Sequence, residues 1–146
     1  MMMNKSDINP RDLTKFIVDE LNTKRQDIWL LYGFLAAEDL SQADKPIEGL
    51  IQEFCQTLVD YISLGHFSVY QRVLEGNERG KETVEAVERV YPIISDATQK
   101  ILAFTDQYQT CDASLDVAKM FQKLSALGEH LAVRCELEDQ LISEIR

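Results

Sequence analysis

Apolar residues recur along the chain in steps of three, four and seven, and no stretch of four or more residues alternates cleanly between apolar and polar. The three-to-four period is that of an α-helix, and without a two-residue period no strand is predicted. A first helix is expected from Asn9, with Asn as a good N-cap, Pro10 at the first helical position and Asp12 at the positive helix end. Its apolar stripe is Leu13, Ile17, Leu21, Ile28, Leu31 and Leu35, flanked by Phe16, Tyr32 and Phe34. Ser41 to Lys45 reads as a loop. A second helix then starts around Asp44 and Pro46, with the stripe Ile47, Leu50, Ile51, Phe54, Leu58, Tyr61 and Ile62. At Gly65 the apolar face turns by about 100°, to Phe67, Val69, Tyr70, Val73 and Leu74, which predicts a kink at the glycine. This helix is expected to end near Gly76 and Asn77.

A third helix begins near Gly80 with the stripe Val84, Val87, Tyr91, Ile94, Ile101, Phe104 and Tyr108, and a bend is expected at Pro92. Thr110 to Ser114 supplies cap candidates for a fourth helix, whose stripe is Leu115, Val117, Phe121, Leu124, Leu127, Leu131, Cys135, Ile142 and Ile145. Four amphipathic helices joined by short loops predict an all-α, up-down-up-down four-helix bundle with a kinked second helix. Most Leu, Ile, Val and Phe residues are then accounted for as core.

The chain has 146 residues, the size of one domain, and is read as a single helical-bundle domain over residues 1–146 with residues 1–8 disordered. A chain of this size buries enough surface to fold without a disulfide or metal. Its 15 Lys and Arg against 25 Asp and Glu give a net charge of −10. That balance disfavours direct contact with nucleic acid or an anionic membrane and favours a basic partner. No apolar run approaches a transmembrane span, and Met1 to Asp7 lacks the apolar core of a signal peptide, so a cytoplasmic location is expected.

Sites for chemistry are sparse. Cys55, Cys111 and Cys135 have neither CxxC nor zinc-finger spacing, and His66 and His130 belong to no metal-binding motif. A di-metal carboxylate bundle needs Glu three residues before each His, where this chain has Ser63 and Leu127. No nucleophile elbow, phosphate loop or dinucleotide fingerprint occurs. No cofactor, no metal and no catalysis are therefore expected.

Two features do not fit a plain bundle. Arg134 and Glu138 fall on the apolar stripe of the last helix, within about 60° of Leu131 and Ile142, and four residues apart they can meet. They make either a structural ion pair inside the bundle or the wall of an inner polar groove that a partner helix enters. Leu64 and Phe67 lie opposite the main stripe of the second helix beside Asp60, a candidate contact patch unless the kink or a neighbouring helix covers them.

Residues 54–74 resemble the signature of the regulator-of-sigma-D (Rsd/AlgQ) family, through Phe-Cys-Gln-x-Leu-Val-Asp-Tyr-x-Ser-x-Gly-His-Phe-Ser-x-Tyr. The resemblance extends to Val18-Asp19, Arg25 and Tyr32, and to Leu-Gly-Glu-x-Leu-x-x-Arg followed by Leu-Glu-Asp-x-Leu-Ile between Leu127 and Ile142. The loop from Gly76 to Gly80 departs from the pattern, and relatives usually run on beyond Arg146. The resemblance implies an all-α anti-sigma factor whose partner is the primary sigma factor of RNA polymerase, bound through the domain that reads the −35 element. It implies a protein-binding site at Asp60, with Tyr61, His66 and Phe67 in the same motif, although Tyr61 also reads as core. Leu64 joins this set as apolar contact area, and Arg134, Glu138 and Asp139 match the last motif. A monomer is favoured. Two other readings remain: a bundle metal carrier or enzyme using interior carboxylates, and a structural oligomer whose patch binds a second copy.

Overall fold

The computed structural model describes residues 10–36, 46–66, 80–112 and 114–145. Its helices are α1 (Pro10–Ala36), α2 (Ile47–Gly65), α3 (Gly80–Tyr108) and α4 (Val117–Ile145). The chain is an all-α four-helix bundle. Each helix packs on the next, and α4 closes the ring against α1. Contacts run antiparallel across each seam: Tyr32 meets Phe54 across α1 and α2, and Phe54 meets Phe104 across α2 and α3. Lys123 of α4 bonds Gln107 and lies over the Tyr108 ring of α3, and Tyr32 of α1 reaches the Leu124 carbonyl of α4.

The core is drawn from the predicted stripes, although Tyr91 and Val117, placed on them by the sequence, are exposed. Leu21, Ile28, Leu35, Ile51, Phe54, Leu58, Ile94, Ile101, Leu124 and Leu131 are buried in one cluster drawn from all four helices. Tyr32, Phe54, Phe104 and Tyr108 form a chain of tilted and edge-on rings through it, at centroid distances of 6.3, 6.1 and 4.8 Å. Such pairs add roughly 0.5–1.5 kcal/mol each beyond area burial. At Gly128 the helices α1 and α4 come together: a Cβ there would lie 2.5 Å from the Tyr32 hydroxyl.

Several local expectations are revised. Phe16 and Phe34 flank the α1 stripe in sequence but are exposed. The N-cap of α4 is Asp116, whose Oδ1 accepts the Lys119 N–H at 3.1 Å. Asp112 Oδ1 instead accepts from the Ser114 N–H and hydroxyl, and those bonds hold the carboxyl below the usual carboxylate range. Pro92 lies inside α3, as the sequence placed it, and is exposed. Asn9, residues 1–8, and the rotated apolar face beyond Gly65 lie outside the described residues. The helix end near Gly76 lies outside them as well.

Candidate functional site

The interior charges gather at one end of the bundle. Arg134 and Glu138, one helical turn apart on α4, are both fully buried, with Nη2 to Oε2 at 3.7 Å. Glu138 is also reached from two other helices. Arg25 of α1 places Nη2 at 2.7 Å from Oε1, and the Tyr61 hydroxyl of α2 donates to the same oxygen at 2.7 Å. Arg25 further bonds Asp139 Oδ1 at 2.7 Å and the Cys135 carbonyl at 3.3 Å. The Arg134 guanidinium lies over the Tyr61 ring, 5.1 Å from its centroid. Burying charges is tolerable only with such pairing, because each costs several kcal/mol to desolvate.

This cluster explains Gly65. A Cβ at Gly65 would stand 2.7 Å from Glu138 Oε2 and 3.0 Å from Arg134 Nη2. The missing side chain therefore makes room for the carboxylate and guanidinium of α4. Through His66 the backbone stays helical, with φ −62 and ψ −52, and its N–H is shared between the Ile62 and Ser63 carbonyls. The glycine signals a close approach between elements.

The electrostatics follow from burial. Burial pushes the Tyr61 hydroxyl well above the usual phenol range, with the Glu138 charge adding to it. Burial pushes the Cys135 thiol up too, against the Tyr61 hydrogen bond, which lowers it. For Arg25 burial works to lower the pKa, but Tyr61, the Asp139 hydrogen bond and Glu138 outweigh it and hold the guanidinium charged.

The surface part of the predicted set is built on α2. Asp60 is exposed, and one carboxylate oxygen accepts the Gln56 side-chain amide at 2.9 Å from one turn earlier. This bond orients the acid outward. Leu64 is half-buried and packs on the edge of the core. His66 is exposed at the rim of a cavity of about 240 Å³, lined also by Ile62, Tyr91, Ile94 and Arg134. Tyr61 is wholly interior and its hydroxyl is committed to Glu138. Phe67 lies outside the described residues. The structure thus separates the candidates into an outer pair, Asp60 and His66, and an inner group around Glu138.

Arg25 is the residue that sequence reasoning left outside the site. The signal was present: Leu21, Arg25 and Ile28 follow helical spacing, so Arg25 sits inside the α1 stripe as Arg134 does in α4. Among the described residues no group of three His, Cys, Asp or Glu side chains could hold a metal ion, and no helix is long and apolar enough to cross a membrane.

One end of the bundle is tied by a three-helix charge cluster, and an exposed acid on α2 is bonded by Gln56. The chain belongs to the Rsd/AlgQ family: residues 3–146 match the family described as Regulator of RNA polymerase sigma(70) subunit, Rsd/AlgQ. It is similar to the Regulator of sigma D of Yersinia enterocolitica, with 41% identity over 97 residues, covering 65% of this chain and 58% of the relative. The proteins of the same name from Salmonella arizonae and Salmonella newport are each 40% identical over 96 residues, covering 65% of this chain and 59% of theirs. The match therefore spans less than two thirds of the length of these relatives. No solved structure matches the chain.

Proposed function

We propose that the chain is an anti-sigma factor that binds the primary sigma factor of RNA polymerase through its −35-reading domain and withholds it from core polymerase and promoter. The observation that carries this reading is the family match over residues 3–146. The names of the relatives agree with it. The physical chemistry of the surface supports it. A domain that grips DNA presents Lys and Arg to phosphates. A chain of net charge −10 with an oriented acid on α2 is the complement of such a domain, and the opposite charges speed encounter. Occlusion is the mechanism: Asp60 pairs with a basic group of the DNA-reading helices, and a sigma surface so covered is closed to DNA and to core polymerase. His66 extends the contact at the C-terminal end of α2, with Leu64 at its edge, and Phe67 belongs to the same sequence motif.

In this reading the protein works by binding, in the cytoplasm, as a monomer, without catalysis and without touching nucleic acid. The interior-carboxylate alternative loses its main candidate, because the Glu138 carboxylate is already engaged by Arg25, Arg134 and Tyr61. Calorimetric titration of the chain with a purified sigma fragment tests the proposal. Asp60→Ala is expected to weaken binding by about 1–3 kcal/mol, the range for losing a partly desolvated charge pair. Wild-type affinity for that variant removes Asp60 from the contact.

A further inference from the structure

The second half of α1 carries an apolar outer surface that the bundle does not use. From Ile28 to Ala36 the helix has no charged residue. Leu30 is 62% exposed, Phe34 41% and Trp29 39%, and Gly33 between them is exposed as well. Single exposed apolar side chains need no explanation, but four neighbouring positions over two turns form a patch. Gly33 sharpens the point. Glycine is a poor residue for a helix interior. Gly65 and Gly128 each have a neighbour that a Cβ would strike, whereas nothing lies within 4 Å of a Cβ built at Gly33. Among the described residues no contact requires this glycine. The missing side chain leaves a notch in the helix surface among the exposed Trp29, Leu30 and Phe34.

The charges around the notch select its occupant. Asp19, Glu20 and Asp27 are exposed on the same helix, against Lys15 exposed and Lys24 half-buried, so acid predominates. At about 100° per residue, Asp27 and Phe34 lean toward the α2 side of α1, and Asp60 and Glu53 lean toward the α1 side of α2. The contact of Tyr32 with Phe54, and the meeting of Arg25 and Tyr61 at the same Glu138 oxygen, set Leu30 and Asp27 alongside Gln56 and Asp60 across the antiparallel seam. The patch is thus apolar at its centre and acidic at its rim, and it is continuous with the α2 site. A second copy of this chain would bring like charges together, since each carries −10. A helix with apolar and basic residues on one face meets both demands.

We infer that the outer face of α1 from Asp27 to Phe34 is a second docking strip, which seats an amphipathic, basic helix of the same partner by inserting one of its apolar side chains into the notch at Gly33. This inference rests on the sigma-binding reading and extends it from α2 onto α1. The test is titration of the full chain with a purified sigma fragment carrying the −35-reading domain, with thermal melting of each variant and light scattering of the chain alone. Gly33→Leu and Leu30→Ser are expected to weaken binding about tenfold or more. Gly33→Leu fills open space, so its melting temperature stays the same or rises. Val133→Ser, at an exposed apolar position on α4, serves as the control and binds like the wild type. Wild-type affinity for both α1 variants, with Asp60→Ala still weakened, overturns the α1 strip and leaves the α2 site standing. Absence of any complex with the unaltered chain overturns the underlying reading and the strip with it. Self-association that Gly33→Leu abolishes assigns the face to a second copy and overturns the inference.

Discussion

Replacing Glu138 by Gln keeps the shape of the side chain and removes its charge, which isolates what the carboxylate contributes. Glu138 faces Arg25 at 2.7 Å and Arg134 at 3.7 Å. At an effective dielectric of about 20, such separations correspond to attractions of roughly 4–6 kcal/mol each before desolvation is counted. Arg25 is partly open to water at 13% exposure and retains Asp139, so its loss is softened. Arg134 is wholly buried and loses the carboxylate that faces it from one turn away. Breaking a buried pair from one side costs about 3–5 kcal/mol, mostly through the charge left behind. The amide retains an acceptor oxygen for Tyr61, which places Glu138→Gln near the lower end of that range. A loss of about 3 kcal/mol is a large share of a typical 5–15 kcal/mol stability. At this chain length it lowers the melting temperature by roughly 6–12 °C. Urea denaturation followed by circular dichroism measures it, with the m-value unchanged. The double variant Arg134→Met/Glu138→Gln is expected to recover part of the loss, because it removes the buried guanidinium while keeping an acceptor oxygen for Tyr61. A Glu138→Gln loss below about 1 kcal/mol would refute the claim that the carboxylate compensates buried arginine.

The helical glycines give predictions of opposite sign. Gly65→Ala drives a Cβ against the Glu138 carboxylate and destabilises by about 1–2 kcal/mol despite better helix propensity. Gly128→Ala strikes the rigid Tyr32 ring and its bond to the Leu124 carbonyl, and costs about 1–3 kcal/mol. Gly33→Ala meets open space and stabilises by about 0.5–1 kcal/mol; chemical denaturation ranks the three. Stability also falls at alkaline pH. Burial pushes the Cys55 thiol up to about 12 and raises Cys135, while in the unfolded chain thiols ionise near 8.5. Between those values the native state holds protons that the unfolded state has released, so stability is complete below pH ~8.5 and is lost as pH rises toward 12. Cys55→Ala should flatten that decline in urea melts between pH 7 and 10.5, and an unchanged slope would count against it.

How much of this was readable from the sequence depends on the kind of signal. Starts near Pro46 and Gly80 were legible because proline and glycine punctuate the periodic pattern. Arg134 and Glu138 stood out because charges inside an apolar stripe break a strong periodicity. Arg25 broke its own stripe in the same way, yet its partners sit more than a hundred residues away, and no local spacing announces Asp139 or Glu138 as its destination. Gly65 was legible as special but ambiguous in kind. A glycine that bends a helix and one that admits a neighbour look identical in one dimension; the 2.7 Å approach of Glu138 shows the second role, and the rotated face that predicts the bend lies outside the described residues. The apolar surface of α1 was hidden for a related reason. Leu31 and Leu35 face inward, and Leu30 and Phe34 beside them are equally apolar, so the pattern widens and the outer patch merges with the core stripe.

Binding to sigma decides the account most directly. Purified chain titrated calorimetrically with the −35-reading fragment of the primary sigma factor should give a saturable complex in dilute buffer, with affinity that falls as salt rises toward physiological strength. No heat of binding at any ionic strength, from a chain shown to be folded, would contradict it.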